Sequence, residues 1–419
     1  MLDPQLLRNN PDALRDSLTK RGVALDVDVL VDLEERSRQL RHQADEARAE
    51  QKSAGRDIAN LSGEAKETAI ANTQDLANRV KDLNSEADRV RVEFEALWLE
   101  MPNLVDPTAA EGLEEDDAEE LRRVGDQPDW DFEPSDHATL GDRLGIIDTD
   151  RGAKVSGSRF GYVRGQGALL ELALTRWAMD RVVAQGHEPV IPPVMVREHA
   201  LVGTGFFPEA REQVYEVPGD ELFLVGTSEV PLAAFHGDEI LETDELPIRY
   251  AGYSTCFRRE SGTYGKDTSG IFRVHQFEKV EIFVFCLPEE SQHEHDRLLE
   301  IEESLVRELE LPYRVVNIAA GDLGASATKK YDIEAWFPTQ ERYREITSTS
   351  NTTDFQARRL NIRYRSDNGT TPVHTLNGTA CALGRTILAI LENHQQADGS
   401  VAIPEALRPY TGFDVISPP

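Results

Sequence analysis

Leu30, Leu33, Ser37, Leu40, Ala44, Ala47, Gln51, Ala54, Ile58 and Leu61 fall alternately three and four apart without a miss, the spacing of a coiled-coil seam. After Ser62-Gly63 the rhythm resumes through Ala69, Thr73, Leu76, Val80, Leu83, Ala87, Val90, Phe94 and Leu97. Two helices sharing a seam across so short a break must pack antiparallel, as a hairpin over about 28–98 with arms about 50 Å long at about 1.5 Å per residue. The alanines on the seam let the helices approach closely. Arg36, Arg38, Arg41, Arg48, Lys52, Arg56, Arg79, Arg89 and Arg91 are scattered among more numerous acids. This surface suits a solvated interaction or dimerisation coiled coil as well as an arm that touches RNA.

Met101-Pro102 closes the second helix, because proline lacks the helical donor and restricts the residue before it. The acidic, aperiodic stretch 103–134, with Glu114-Glu115-Asp116-Asp117, reads as a linker. Beyond it, strand-like runs at 221–225, 248–253, 280–287 and 313–318 alternate with helical stretches at 168–185 and 291–309. The strands carry alternating polar residues, which suits an antiparallel sheet with one wetter face. The expected organisation is α+β: a helical domain over 1–102, the linker, and an antiparallel-sheet domain flanked by helices over 135–419.

A chain of 419 residues has room for two or three cores. No apolar run approaches the length of a membrane helix, and the opening Met1-Leu2-Asp3-Pro4 has no secretory pattern, so a cytoplasmic protein is expected. Three cysteines, Cys256, Cys286 and Cys381, form neither a disulfide framework nor a zinc spacing, and no zinc is expected. A formal net charge of -31 argues against coating nucleic acid by bulk electrostatics; RNA binding needs basic residues gathered on one face.

There is no phosphate loop and no dinucleotide fingerprint, so any nucleotide must be held another way. Arginine is the candidate. In Cys256-Phe257-Arg258-Arg259-Glu260 a strand runs out into a loop at 261–270, and Phe272-Arg273-Val274-His275-Gln276-Phe277-Glu278-Lys279-Val280-Glu281 returns. Alternation puts Arg258 with Glu260, and His275, Phe277, Lys279 and Glu281 together. One face then offers a cation, two acids and an aromatic plate. An isolated Arg-x-Glu is ordinarily a surface ion pair worth about 0–1 kcal/mol; here it is accompanied by Gly186-His187-Glu188-Pro189-Val190-Ile191-Pro192-Pro193 upstream and Gly384-Arg385 opening an apolar helix downstream.

In that order these strings resemble the three motifs of the class II aminoacyl-tRNA synthetases. Thr227-Ser228-Glu229-Val230-Pro231-Leu232, Glu345-Ile346-Thr347-Ser348 and Leu376-Asn377-Gly378-Thr379, beside the N-terminal hairpin, narrow the resemblance to the seryl-tRNA synthetases, over nearly the whole chain.

The resemblance implies ATP-dependent activation of serine and its transfer to tRNA(Ser), with tRNA(Sec) left open, by a homodimer whose interface lies near Pro192-Pro193. It places Arg258 on the α-phosphate, with Arg259 beside it, and Arg385 on the γ-phosphate. Phe277 lies under adenine, and Glu260 and the backbone near Val274 read the adenine edge. Glu345, Ile346, Thr347 and Ser348 join the ATP site, Glu345 and Ser348 as the Mg2+ ligands, in keeping with that cation's preference for oxygen. Thr227, Ser228, Glu229, Glu281 and Thr379 surround serine. Arg258 and Arg385 are the catalytic pair. His275 reads as a neutral support rather than a catalyst. Ala380 and Cys381 depart from a usually glycine-rich stretch and put detail around Thr379 in doubt. An enzyme loading a carrier protein would share the motifs without needing the arm; a regulator that had lost chemistry would not need these charged residues intact.

Overall fold

The computed structural model describes residues 1–262, 270–367 and 369–419. They form two compact units, one of 3–19 and 23–102, the other of 1–2, 20–22 and 103–419.

In the first unit the helices Val27–Asp57 and Glu64–Glu100 pack against each other. Asp26 caps the first by accepting from the Asp28 N–H, satisfying a donor that the helix itself cannot. The seam is as the spacing requires: Leu40, Ala87 and Val90 form a buried cluster joined by Leu33 and Leu83, and Arg36 Nη2 reaches Glu86 Oε1 at 2.5 Å across the pair. Burial fades toward the tip, where Leu61 is exposed. The many small seam residues there have little apolar surface to hide.

The second unit is built on an eight-stranded sheet. Its strands are β1 (Glu119–Val124), β2 (Glu188–Val190), β3 (Ile248–Phe257), β4 (Gln276–Cys286), β5 (Tyr313–Asn317), β6 (Lys329–Phe337), β7 (Arg342–Thr353) and β8 (His374–Ala382), in the order β1-β5-β6-β7-β8-β4-β3-β2. Every neighbouring pair is antiparallel except β2 with β3. Helices Gln166–Ala184, Ser291–Glu308 and Leu383–Asn393 pack on the sheet. Their apolar residues, among them Leu170, Leu174, Leu298, Leu305, Ile387 and Leu391, join Val280, Ile282 and Val284 of β4 in one core.

The stretch expected to be a linker is part of this unit. β1 pairs with β5 as the edge strand, and all but one of its residues are exposed. It therefore carries no hydrophobic alternation by which a sequence could reveal it. The expected loop at 261–270 lies mostly, over 263–269, outside the described residues.

Of the bulges that interrupt the central strands, two bear on the site. Between β4 and β8 the pairing jumps from Val280–Cys381 to Glu281–Thr379, leaving Ala380 over; between β6 and β7 it jumps from Ile333–Thr347 to Glu334–Glu345, leaving Ile346 over. An extra residue re-aims side chains on either side of it. Glu345 and Ser348, three apart and on opposite faces of a regular strand, thus come to line one cavity.

Candidate active site

Beside the two bulges lies a cavity of about 600 Å³. Twelve of the fifteen residues expected at the site line it: Thr227, Glu229, Arg258, Glu260, Val274, Phe277, Glu281, Glu345, Ile346, Ser348, Thr379 and Arg385. The three that do not are Ser228, Thr347 and Arg259. Ser228 is fully buried and its hydroxyl donates to the Gly252 carbonyl. Thr347, on the other side of the bulge, donates to the Thr379 carbonyl. Arg259 is exposed, with its guanidinium 5.6 Å from the Tyr215 ring. Chain neighbours of cavity-facing residues point elsewhere: Ser228 and Thr347 brace the surroundings of the cavity, and Arg259 lies at the surface.

At one end the Arg258 guanidinium lies 5.2 Å from the Phe277 ring centroid, its Nε donating to the Gly226 carbonyl at 3.2 Å. Glu260 is reached not by strand alternation, since β3 ends at Phe257, but by a left-handed turn with φ 50°; Arg273 pairs with its carboxylate. His275 also precedes its strand. It does not line the cavity, and its Nδ1 lies 2.9 Å from the Arg258 carbonyl, where it supports the arginine backbone.

Arg385, at the start of helix Leu383–Asn393, sends Nη1 to the Glu345 carbonyl at 3.0 Å and to its carboxylate at 3.2 Å. Arg385 and Arg344 both lie against the Phe272 ring, at 4.9 and 4.0 Å. Burial opposes the charge of Glu345, but Arg385, then Lys330 and Arg258, hold its carboxyl down to about 2. Its side chain is still 41% accessible, through the cavity it lines, so the ionised oxygens remain available to a ligand.

An ionised carboxylate open to the cavity with a hydroxyl on the same face suits a magnesium ion that arrives with phosphate oxygens. Among the described residues no group of three or more His, Cys, Asp or Glu side chains forms an all-protein metal cage.

At the other end, burial and then the charge of Glu281 push the Glu229 carboxyl up to about 7. Gln356 and Asn377 donate to its Oε1 at 2.7 and 3.0 Å. Glu281 is likewise raised by burial, against the pull of Lys279, with which it forms an ion pair. Thr379 donates to Glu281 at 3.4 Å.

Lys279, Asn377 and Gln356 were not expected here. Lys279 was legible as a member of the strand face but not as a pocket residue, and Gln356 comes from a helix, Phe355–Leu360, that carries no motif. The departures at Ala380 and Cys381 leave the cavity's polar wall intact. Both side chains sit in the core, Cys381 Sγ lies 3.5 Å from Thr386 Oγ1, and burial pushes its thiol up to about 12. All three cysteines are free.

Residues 1–105 match the family profile described as seryl-tRNA synthetase N-terminal domain, and 214–394 match the tRNA synthetase class II core domain (G, H, P, S and T). A serine–tRNA ligase of Thermobifida fusca is 53% identical over 420 residues, covering 100% of this chain and 99% of its own.

The chain belongs to the seryl-tRNA synthetase family.

A serine–tRNA ligase of Streptomyces coelicolor is also 53% identical, with 98% of each chain covered. Among solved structures, the seryl-tRNA synthetase of Pyrococcus horikoshii, determined with ATP, superposes with a TM-score of 0.96 at 42% identity over the full length of both chains. The family membership therefore spans hairpin and sheet alike. No helix among the described residues is long and apolar enough to cross a membrane.

Proposed function

We propose that the chain is a serine–tRNA ligase that activates L-serine with ATP and transfers it to tRNA(Ser). The observation that carries this reading is the joining, in one cavity, of Arg258, Arg385 and ionised Glu345 at one end with Glu229, Glu281 and Thr379 at the other. The first group suits a triphosphate, the second a small hydroxylated ammonium ligand.

The serine carboxylate is ionised at neutral pH and attacks the α-phosphorus of ATP. The bond to the bridging oxygen breaks, and pyrophosphate leaves. No protein nucleophile or general base is required, so catalysis is positioning and charge stabilisation. Arg258 meets the growing charge on the α-phosphate with a planar fork. Arg385 holds the γ-phosphate; Phe277 lies under adenine, with Glu260 and Val274 at its edge. Glu345 and Ser348 would hold Mg2+, which would neutralise phosphate charge. In the second step the terminal ribose hydroxyl of tRNA attacks the seryl carbonyl, the bond from that carbon to the phosphate oxygen breaks, and AMP leaves, its phosphate taking up the hydroxyl proton.

The hairpin is the tRNA-binding arm, and tRNA(Sec) is a further acceptor to be tested beside tRNA(Ser). The enzyme works in the cytoplasm as a homodimer. Supporting the dimer, Leu172 is 65% and Ile191 84% exposed, a contact of large apolar side chains with water that association would relieve.

A screen of ATP–pyrophosphate exchange over the twenty amino acids tests the assignment. Serine alone supports rapid exchange; preference for another amino acid overturns it.

A further inference from the structure

Lys279 engages three of the polar groups proposed to surround serine. Its Nζ pairs with the Glu281 carboxylate and lies 2.7 Å from Thr227 Oγ1 and 3.5 Å from Thr379 Oγ1, with the side chain only 8% exposed. A lysine that merely neutralised a buried acid would need one of these contacts. The three together fix the hydrogen-bonding sense of the pocket.

A hydroxyl has one proton to give and two lone pairs to receive. Thr227 Oγ1 receives from Lys279 Nζ and, at 3.3 Å, from the Glu229 backbone N–H. Both lone pairs are used, and its proton is left for a ligand. Thr379 Oγ1 receives from Lys279 and gives its proton to Glu281, so its second lone pair is left. An incoming hydroxyl meets a committed donor on one side and committed acceptors on the other. Serine satisfies both; alanine leaves them stranded.

The charge of the lysine acts in the same direction. Glu229 and Glu281 share a buried pocket, and each disfavours the ionised form of the other. The other titratable groups around them are Arg258 beyond the end of β3, the buried Cys256 thiol on β3, and Glu302 on helix Ser291–Glu308. Arg258 is committed to the phosphate end when ATP is bound. Lys279 is then the resident cation that keeps a carboxylate charged for the substrate ammonium.

We infer that Lys279 is a positioning residue for serine, which orients the Thr227 and Thr379 hydroxyls, keeps Glu281 ionised, and thereby sets discrimination against alanine. This rests on the serine reading of the pocket, which the wild-type exchange screen tests separately: wild-type enzyme inactive with serine overturns that reading, whereas active wild type with an unaffected variant overturns only the role of Lys279.

The variant is Lys279→Met, close in length and uncharged. In pyrophosphate exchange at pH 7.5 its KM for serine rises at least tenfold while its KM for ATP stays within twofold. Its preference for serine over alanine falls at least tenfold. The serine defect is larger at pH 6.5 than at pH 8.5, because raising pH ionises the carboxyl that the lysine no longer holds. A purely structural lysine would move both KM values together and leave the pH profile unchanged, and either result contradicts the inference. Wild-type enzyme supplies a second measurement that needs no folded variant: calorimetry of serine binding at pH 7 in buffers of different ionisation enthalpy. With Glu281 kept ionised, only the Glu229 proton is available, and release of at most one proton per serine is expected. Release of two overturns the inference.

Discussion

The Arg385 guanidinium holds Glu345 twice, with Nη1 3.0 Å from the backbone carbonyl and 3.2 Å from the carboxylate. The double contact ties the first turn of helix Leu383–Asn393 to β7 at the bulge. The arginine assigned to phosphate is thereby anchored to the residue assigned to the metal. Glu345→Gln keeps the shape and removes the charge. The exchange rate at saturating substrates is expected to fall by about 10²–10³-fold, the usual loss when one charge-stabilising group is removed, and the magnesium concentration for half-maximal rate is expected to rise. Unchanged magnesium dependence in a folded variant removes Glu345 from the metal role.

Glu229 gives the serine pocket a pH dependence. Its carboxyl is raised to about 7, first by burial and then by Glu281, and a neutral carboxyl does not attract an ammonium. Below pH 7, kcat/KM for serine is expected to fall by about tenfold per unit as the group protonates. It levels off above pH 8, while the KM for ATP changes little. Glu229→Gln should lower kcat/KM throughout and abolish the inflection. A flat profile in the wild type, measured between pH 5.5 and 8.5, contradicts the assignment.

Deletion of 48–76, closed by a short glycine-serine linker, removes the distal part of the hairpin and spares the buried base residues Leu30 and Trp98. Serine-dependent pyrophosphate exchange is expected to stay within about threefold of wild type, whereas charging of tRNA(Ser) falls by two orders of magnitude or more, on the order of the loss of several phosphate contacts. Equal loss of both activities in a folded variant contradicts the division of labour between arm and cavity.

Gly378 lies over a buried acid. A Cβ there would clash with Glu302 Oε1 and crowd Thr349 Oγ1 at 3.3 Å, and Glu302 is fully buried. Gly378→Ala is expected to destabilise the protein by about 1–3 kcal/mol, as overpacking does. The cost should shrink when Glu302→Ala is added, a non-additivity that denaturant melts of the four proteins would reveal. Full additivity would show that the glycine is required for another reason.

The hairpin was legible almost to the residue, because a seam is a repeating signal and every position from Ala69 to Leu97 in the expected series is at least partly shielded. The central strands were legible as strands but not as one-faced ones: Val280, Ile282 and Val284 enter one core and Phe283 and Phe285 another, so β4 is buried on both faces where alternation had suggested a wetter side. The bulges were not. Nothing in Glu345-Ile346-Thr347-Ser348 says that one residue is left unpaired, and strict alternation would have put the first and last of them on opposite faces. The resemblance named strings that meet at the cavity but could not tell Thr347, which braces β8, from Ser348, which lines the cavity. β1 was missed because an exposed edge strand has no apolar face, and Gln356 because its link to Glu229 exists only once the helix and strand have packed.

In the proposed mechanism Arg258 and Arg385 grip one triphosphate from two sides of one cavity, and the rest of the chemistry depends on that grip. The decisive measurement is serine-dependent ATP–pyrophosphate exchange in Arg258→Ala and Arg385→Ala, beside circular dichroism and thermal melting of each. Each variant is expected to fold and to lose exchange by at least about 10²-fold, the scale of a lost transition-state contact. Near-normal turnover in either folded variant would contradict the shared grip.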